Sequence, residues 1–118
     1  MAGLVDEGKN LLLEGFSGSV AFVSLHTADP GTSASAEVSG GSYTRESVSW
    51  ATPASASVST SASIVFDVPG STTITHLGYW SASTSGTFYG SRALDTEQEY
   101  APAGTYTIAS GNITESIT

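Results

Sequence analysis

Cysteine is absent, and so are long apolar runs, most positive charge and any basic leader. Without cysteine there are no disulfides and no thiolate metal sites, so one small core and its hydrogen bonds must hold the fold. Lys9, Arg45 and Arg92 are the only basic residues against eleven acidic ones, a formal net charge of −8. Phosphate backbones and anionic membrane surfaces both need clustered Lys and Arg, so neither nucleic acid nor a membrane is an expected partner. No stretch approaches the ~20 apolar residues of a bilayer span. The N-terminus, Met-Ala-Gly-Leu-Val-Asp-Glu, lacks the basic and apolar regions of a secretion signal, so synthesis in a cytoplasm without export is expected. Charged residues make up 12% of the chain, and 21 serines and 15 threonines supply the polarity instead.

What is present reads as mainly β. One chain of 118 residues suits one domain, residues 1–118, with a helix in 1–16 and a β domain over 20–118. The helix is expected from Ala2 to about Glu14. Leu4, Val5, Gly8, Leu11, Leu12 and Gly15 form one apolar stripe that would pack on the sheet, and Gly15 would stop the helix. Asp6 and Glu7 sit in its early turns, where the macrodipole favours them.

Ala21–Leu25 reads as a buried strand, ended by the turn signal Asp29-Pro30-Gly31. A long displayed loop of small residues follows to Ser42, broken at Gly40-Gly41, and Tyr43–Trp50 returns as an extended segment. Residues 51–63 read as loop or a weak edge strand. Ile64, Phe66 and Val68 alternate with Val65 and Asp67, a strand with a strong inner face. Ile74–Trp80 is apolar on both faces and so central. Thr87–Leu94 returns after a hairpin at 81–86, Asp95–Glu99 reads as an acidic loop, and Thr105–Ala109 and Ile113–Thr118 close the chain. Short strands with Gly/Pro/Ser punctuation predict an antiparallel β-sandwich or barrel-like domain with one N-terminal helix.

The candidate chemistry is thin. His26 and His76 are the only imidazoles, and neither His-Glu-x-x-His nor Gly-x-Ser-x-Gly is present, so strand histidines satisfied by local hydrogen bonds are expected rather than a hydrolase or a metal centre. The acidic run 95–99 lacks the EF-hand calcium pattern. Asn112-Ile113-Thr114 is a sequon, of little meaning without export. No glycine-rich phosphate loop precedes a helix, and no cofactor is expected. Tyr43, Trp50, Tyr79, Trp80, Phe88 and Tyr89 pose a choice between core packing and a glycan-stacking platform; core packing is the expectation.

Several ordered motifs resemble a known family. Ser24-Leu25-His26-Thr27-Ala28-Asp29-Pro30-Gly31-Thr32, Glu37–Arg45, Val48-Ser49-Trp50, Phe66–Pro69, Ile74–Ala82 and Gly86–Ser91 are similar to small virion proteins of tailed bacteriophages, especially actinobacterial ones, usually labelled minor tail or tail-fibre proteins. The resemblance implies a non-enzymatic structural protein on the virion surface, docking in several copies on tail or capsid proteins, as a homo-oligomer and by analogy a trimer. Capsid decoration and host-glycan binding are the alternatives. The contact residues expected are Leu4, Leu11, Leu12, Asp29, Pro30, Gly31, Gly40, Gly41, Tyr79 and Tyr89.

Overall fold

The computed structural model describes residues 3–117. Among the described residues one helix, α1 (Asp6–Ser19), precedes eight strands: β1 (Phe22–His26), β2 (Glu46–Ser47), β3 (Ser57–Ser59), β4 (Ile64–Val68), β5 (Thr72–Trp80), β6 (Phe88–Tyr100), β7 (Gly104–Ile108) and β8 (Thr114–Ser116). All the pairings are antiparallel, in a four-stranded sheet ordered β2-β1-β5-β6 and two ribbons, β3-β8 and β4-β7. Val23 and Leu25 of β1 and Leu77 and Tyr79 of β5 meet Ile64, Phe66 and Val68 of β4 and Ile108 of β7 in one core. The domain is thus mainly β and sandwich-like, as the strand pattern predicts.

The alternation in β4 is exact, with Ile64, Phe66 and Val68 buried and Val65 and Asp67 exposed. The doubly apolar β5 is central, between β1 and β6. The other boundaries differ from expectation. Of Tyr43–Trp50, only Glu46–Ser47 forms a strand, with an isolated bridge from Trp50 to Thr60. Residues 51–63, expected as loop or a weak edge strand, hold the three-residue strand β3, which pairs with β8 and whose Val58 is 1% exposed. Asp95–Glu99, read as a loop, falls within the span of β6, but only Gln98 and Glu99 pair, with Ile74 and Thr73. The register jumps from His76↔Ala93 to Ile74↔Gln98, so 94–97 bulge opposite Thr75. A charged bulge is a common guard on an open edge strand.

The helix departs most. It starts at Asp6 and runs through Gly15 to Ser19, so Gly15 does not stop it. Val20, 2% exposed, is pinned in the core, and its N–H bonds Phe16 O at 2.9 Å, which carries the last turn past both glycines. The helix also faces the other way. Leu13 is buried, and Phe16 packs edge-on against Trp50 and Tyr79, at centroid distances of 5.5 and 5.3 Å. Asn10 Oδ1 accepts the Ala56 N–H. The expected stripe therefore does not pack on the sheet.

Candidate functional site

With Asn10, Leu13 and Phe16 inward, the 100° step of a helix puts Gly8, Leu11, Gly15 and Gly18 on the opposite side, while Leu4 precedes the helix and is half-buried. Val5, Leu11 and Leu12 are 72%, 68% and 45% exposed. A Cβ added at Gly15 or Gly18 would meet nothing within 4 Å. Gly8, Leu11, Gly15 and Gly18 thus repeat at i, i+3, i+7 and i+10 along a ridge from which Leu11 stands out. Exposed apolar side chains in one patch mark a contact surface more often than a free one.

Beside this ridge runs a groove of about 320 Å³ between α1 and the start of β6, lined by Leu12, Phe16, Tyr89, Gly90 and Ile117 among others. It brings Leu12 and Tyr89 together as candidate contacts. Tyr79 borders it but is 3% exposed. The Tyr79 hydroxyl donates to Glu115, which also receives Arg92 Nη1 at 3.2 Å. Burial, and then the bond to Glu115, push the Tyr79 hydroxyl pKa up. Tyr79 is a core residue that ties β8 to the sheet, and of the two tyrosines only Tyr89 offers an exposed ring.

The segment 27–42 lies differently from a freely displayed loop. Asp29 does form its expected turn, accepting the Gly31 N–H at 2.9 Å, but Pro30 is buried. Val38 enters the core and donates its N–H to Leu25 O. Gly40 O accepts the Tyr43 N–H in a turn, and Gly41 sits against Pro69. The inner side of this segment covers the sheet, and Asp29, Gly31, Gly40 and Gly41 remain exposed on its outer side.

What fastens it is a polar chain. Leu25 N–H donates to the Tyr43 hydroxyl, which donates to Glu37 Oε2 at 2.9 Å. Arg45 grips the same carboxylate with Nε and Nη2, both at 3.0 Å, while its Nη1 donates to Ala82 O and Ser85 O. The guanidinium lies 3.5 Å over the Trp80 ring. Burial pushes the Glu37 carboxyl upward, but the bonds from Arg45 and Tyr43 together outweigh it and hold it below the usual range. The long loop, the 81–86 hairpin and the sheet are thereby clamped together.

His26 is 0% exposed. Its Nδ1–H donates to Ser35 O at 2.8 Å, so Nε2 accepts from the Ser24 hydroxyl at 2.7 Å, and Ser24 Oγ accepts the Trp80 Nε1–H. A serine–histidine pair sealed at this depth has no substrate path, so the local hydrogen bonds expected of His26 are its role. Trp80 is 8% exposed and Tyr43 stacks on Phe66, so these rings pack internally, whereas Tyr89 is 46% exposed. Among the described residues, no three His, Asp or Glu groups cluster to hold a metal ion.

A family model described as Podophage GP4 fiber I protein gp80 matches residues 16–116. No match is found among the curated proteins. The matched segment holds the β domain and the end of α1, so most of the leucine–glycine ridge precedes it.

Proposed function

The chain belongs to the podophage GP4 fiber I protein gp80 family, a structural, fibre-type family of phage particles, and from that premise we propose that it docks in several copies on the virion surface through α1. The supporting observation is the outward ridge: Leu11 stands 68% exposed between positions without side chains. A second copy is the best-fitting occupant. Leucine and glycine at near-heptad spacing suit a seam between like helices, and glycine lets the backbones approach closely. A trimer is the form proposed, by analogy with other fibre proteins. Leu12 and Tyr89 line the adjoining groove and widen the contact, and the exposed turns at Asp29–Gly31 and Gly40–Gly41 are proposed as rim contacts.

Leu11→Glu tests this cleanly, because an exposed position tolerates the charge in the isolated domain. The variant is expected to keep the wild-type circular dichroism and melting temperature. Its self-association in sedimentation equilibrium and its incorporation into particles are expected to be lost. Wild-type association by a folded Leu11→Glu chain would remove α1 from the reading. Immunogold labelling of intact virions places the docking site: label on the tail or its tip supports a tail appendage, and label spread over the head would replace that with capsid decoration.

A further inference from the structure

We propose that His26 is an acid-sensitive latch: neutral, it holds residues 27–36 down on the sheet face turned away from the core, and its protonation releases them. Val23 and Leu25 of β1 point into the core, so Ser24 and His26 point to the other face, with Gly78 and Trp80 of β5. Residues 36–38 run beside β1 through the His26–Glu37 bridge, with Thr27 N–H bonded to Ala36 O and Val38 N–H to Leu25 O, and residues 28–35 fold back from there over His26, with Ser35 N–H bonded to Pro30 O. Beneath them lies a chain of three hydrogen bonds in which each hydrogen has one place. Trp80 Nε1–H donates to Ser24 Oγ, the Ser24 hydroxyl donates to His26 Nε2, and His26 Nδ1–H donates to Ser35 O.

Around a neutral imidazole with its hydrogen on Nδ1, every hydrogen in this chain has an acceptor. A second proton on Nε2 would make Ser24 Oγ the acceptor of two donors and take away the acceptor that the Ser24 hydroxyl hydrogen has. Packing leaves no slack, since a Cβ at Gly78 would already lie 2.3 Å from Ser24 Oγ and 2.7 Å from His26 Nε2. The imidazolium would also be a charge out of water, and such a charge is costly unless paired. The titratable and charged groups around it offer little help. Glu37, on the loop, is engaged by Arg45 through two bonds and by Tyr43 through a third. His76, the ladder partner on β5, adds a second imidazole whose Nδ1 bonds Thr75 Oγ1. Two imidazoliums directly across a ladder repel.

Burial lowers the His26 pKa most; the Ser35 bond and Glu37 oppose it, and Arg45 and His76 add to it. A histidine with a depressed folded-state pKa contributes stability that is full above its unfolded value of about 6.5 and is lost as pH falls through the folded value. The cheapest relief is local. Glu37 and Val38 stay anchored by Arg45, Tyr43 and the core, so water reaches His26 when the Thr27–Ala36 pairing, the Ser35 contact and the Pro30 packing give way, whereas β1 and β5 are paired along their length.

Hydrogen exchange on the intact chain, corrected for intrinsic rates, tests the latch. Protection at the Thr27 and Ser35 amides is expected to fall about tenfold or more between about pH 7.5 and about pH 5, while Val38 and β5 hold. Imidazole nitrogen NMR is expected to show His26 as the Nδ1–H tautomer, with a titration midpoint coinciding with that loss. His76→Gln is expected to keep the response. Unchanged loop protection, a release that follows His76 instead, or a release with His26 still neutral would each overturn the proposal.

Discussion

Gly78→Ala is the sharpest single test of how this fold is packed. Gly78 lies directly opposite Ser24 in the β1–β5 ladder, and its backbone is ordinary extended chain that alanine can adopt. The penalty must therefore come from contacts alone. The new methyl carbon would lie 2.3 Å from Ser24 Oγ, 2.7 Å from His26 Nε2 and 3.2 Å from Phe88 Cε1. Two of these are impossible distances, and neither neighbour has free space to enter. Overpacking of a tight core costs about 1–3 kcal/mol. Displacing Ser24 also breaks its bond to His26 and leaves buried polar groups unsatisfied, for about 1–3 kcal/mol more. The entropy gained by removing a strand glycine offsets about 0.5–1 kcal/mol of this. The net of roughly 1–5 kcal/mol is a large part of the about 5–15 kcal/mol that holds such a domain. Thermal unfolding followed by circular dichroism should show a melting temperature lower by roughly 4–20 °C, at about 4 °C per kcal/mol. A variant melting within a degree or two of wild type would mean that the Ser24–His26–Trp80 face is not packed as described.

Two further substitutions probe other parts of the argument. Gly15→Ala, inside the helix with nothing within 4 Å, should raise the stability of the isolated domain by about 0.5–1 kcal/mol, yet weaken self-association in sedimentation equilibrium if the ridge is a close-packed seam. Arg45→Lys keeps the charge but not the fork that binds both Glu37 oxygens and two carbonyls, and denaturant titration should show a loss of roughly 1–3 kcal/mol.

The sheet was legible where one strand carried its own signal. Ile64, Phe66 and Val68 alternate strictly, and Ile74–Trp80 is apolar on both faces; both patterns follow from burial alone. Elements that exist through their partners were less legible. Val58, a single valine among serines, left loop and weak edge strand both open, and the pairing of β3 with β8 decides for the strand. Asp95–Glu99 has the composition of a loop, and only its end, Gln98 and Glu99, is paired, with Ile74 and Thr73. The helix misled for a different reason. Its most continuous apolar stripe is the one left outside, because two residues, Leu13 and Phe16, set the inward face, and Val20 fixes the exit. The signal available was that pair at i, i+3 with the core valine following it. The roof over His26 depends on Ser24, Glu37, Arg45 and Trp80 meeting from far apart in the chain, and no local pattern announces that.

The charge distribution separates docking onto a second copy from docking onto a basic partner. Arg45 and Arg92 are each held in an internal ion pair, with Glu37 and Glu115, so they do little to offset the outer field. Each chain then presents a net charge of −8, and Asp6, Glu7 and Glu14 lie on the very helix proposed to meet its copies. Self-association must overcome that repulsion by burying Leu11 and its neighbours, at about 25 cal/mol per Å² of apolar surface. Salt shortens the reach of exposed charges from about 10 Å at 0.1 M to about 3 Å at 1 M. Added salt should therefore tighten self-association measured by sedimentation equilibrium, and apolar burial itself is not screened. Docking onto a cationic surface would respond the opposite way, weakening as its attraction is screened. Self-association that loosens steadily with salt would mean that paired charges, not the leucine–glycine ridge, hold the copies together.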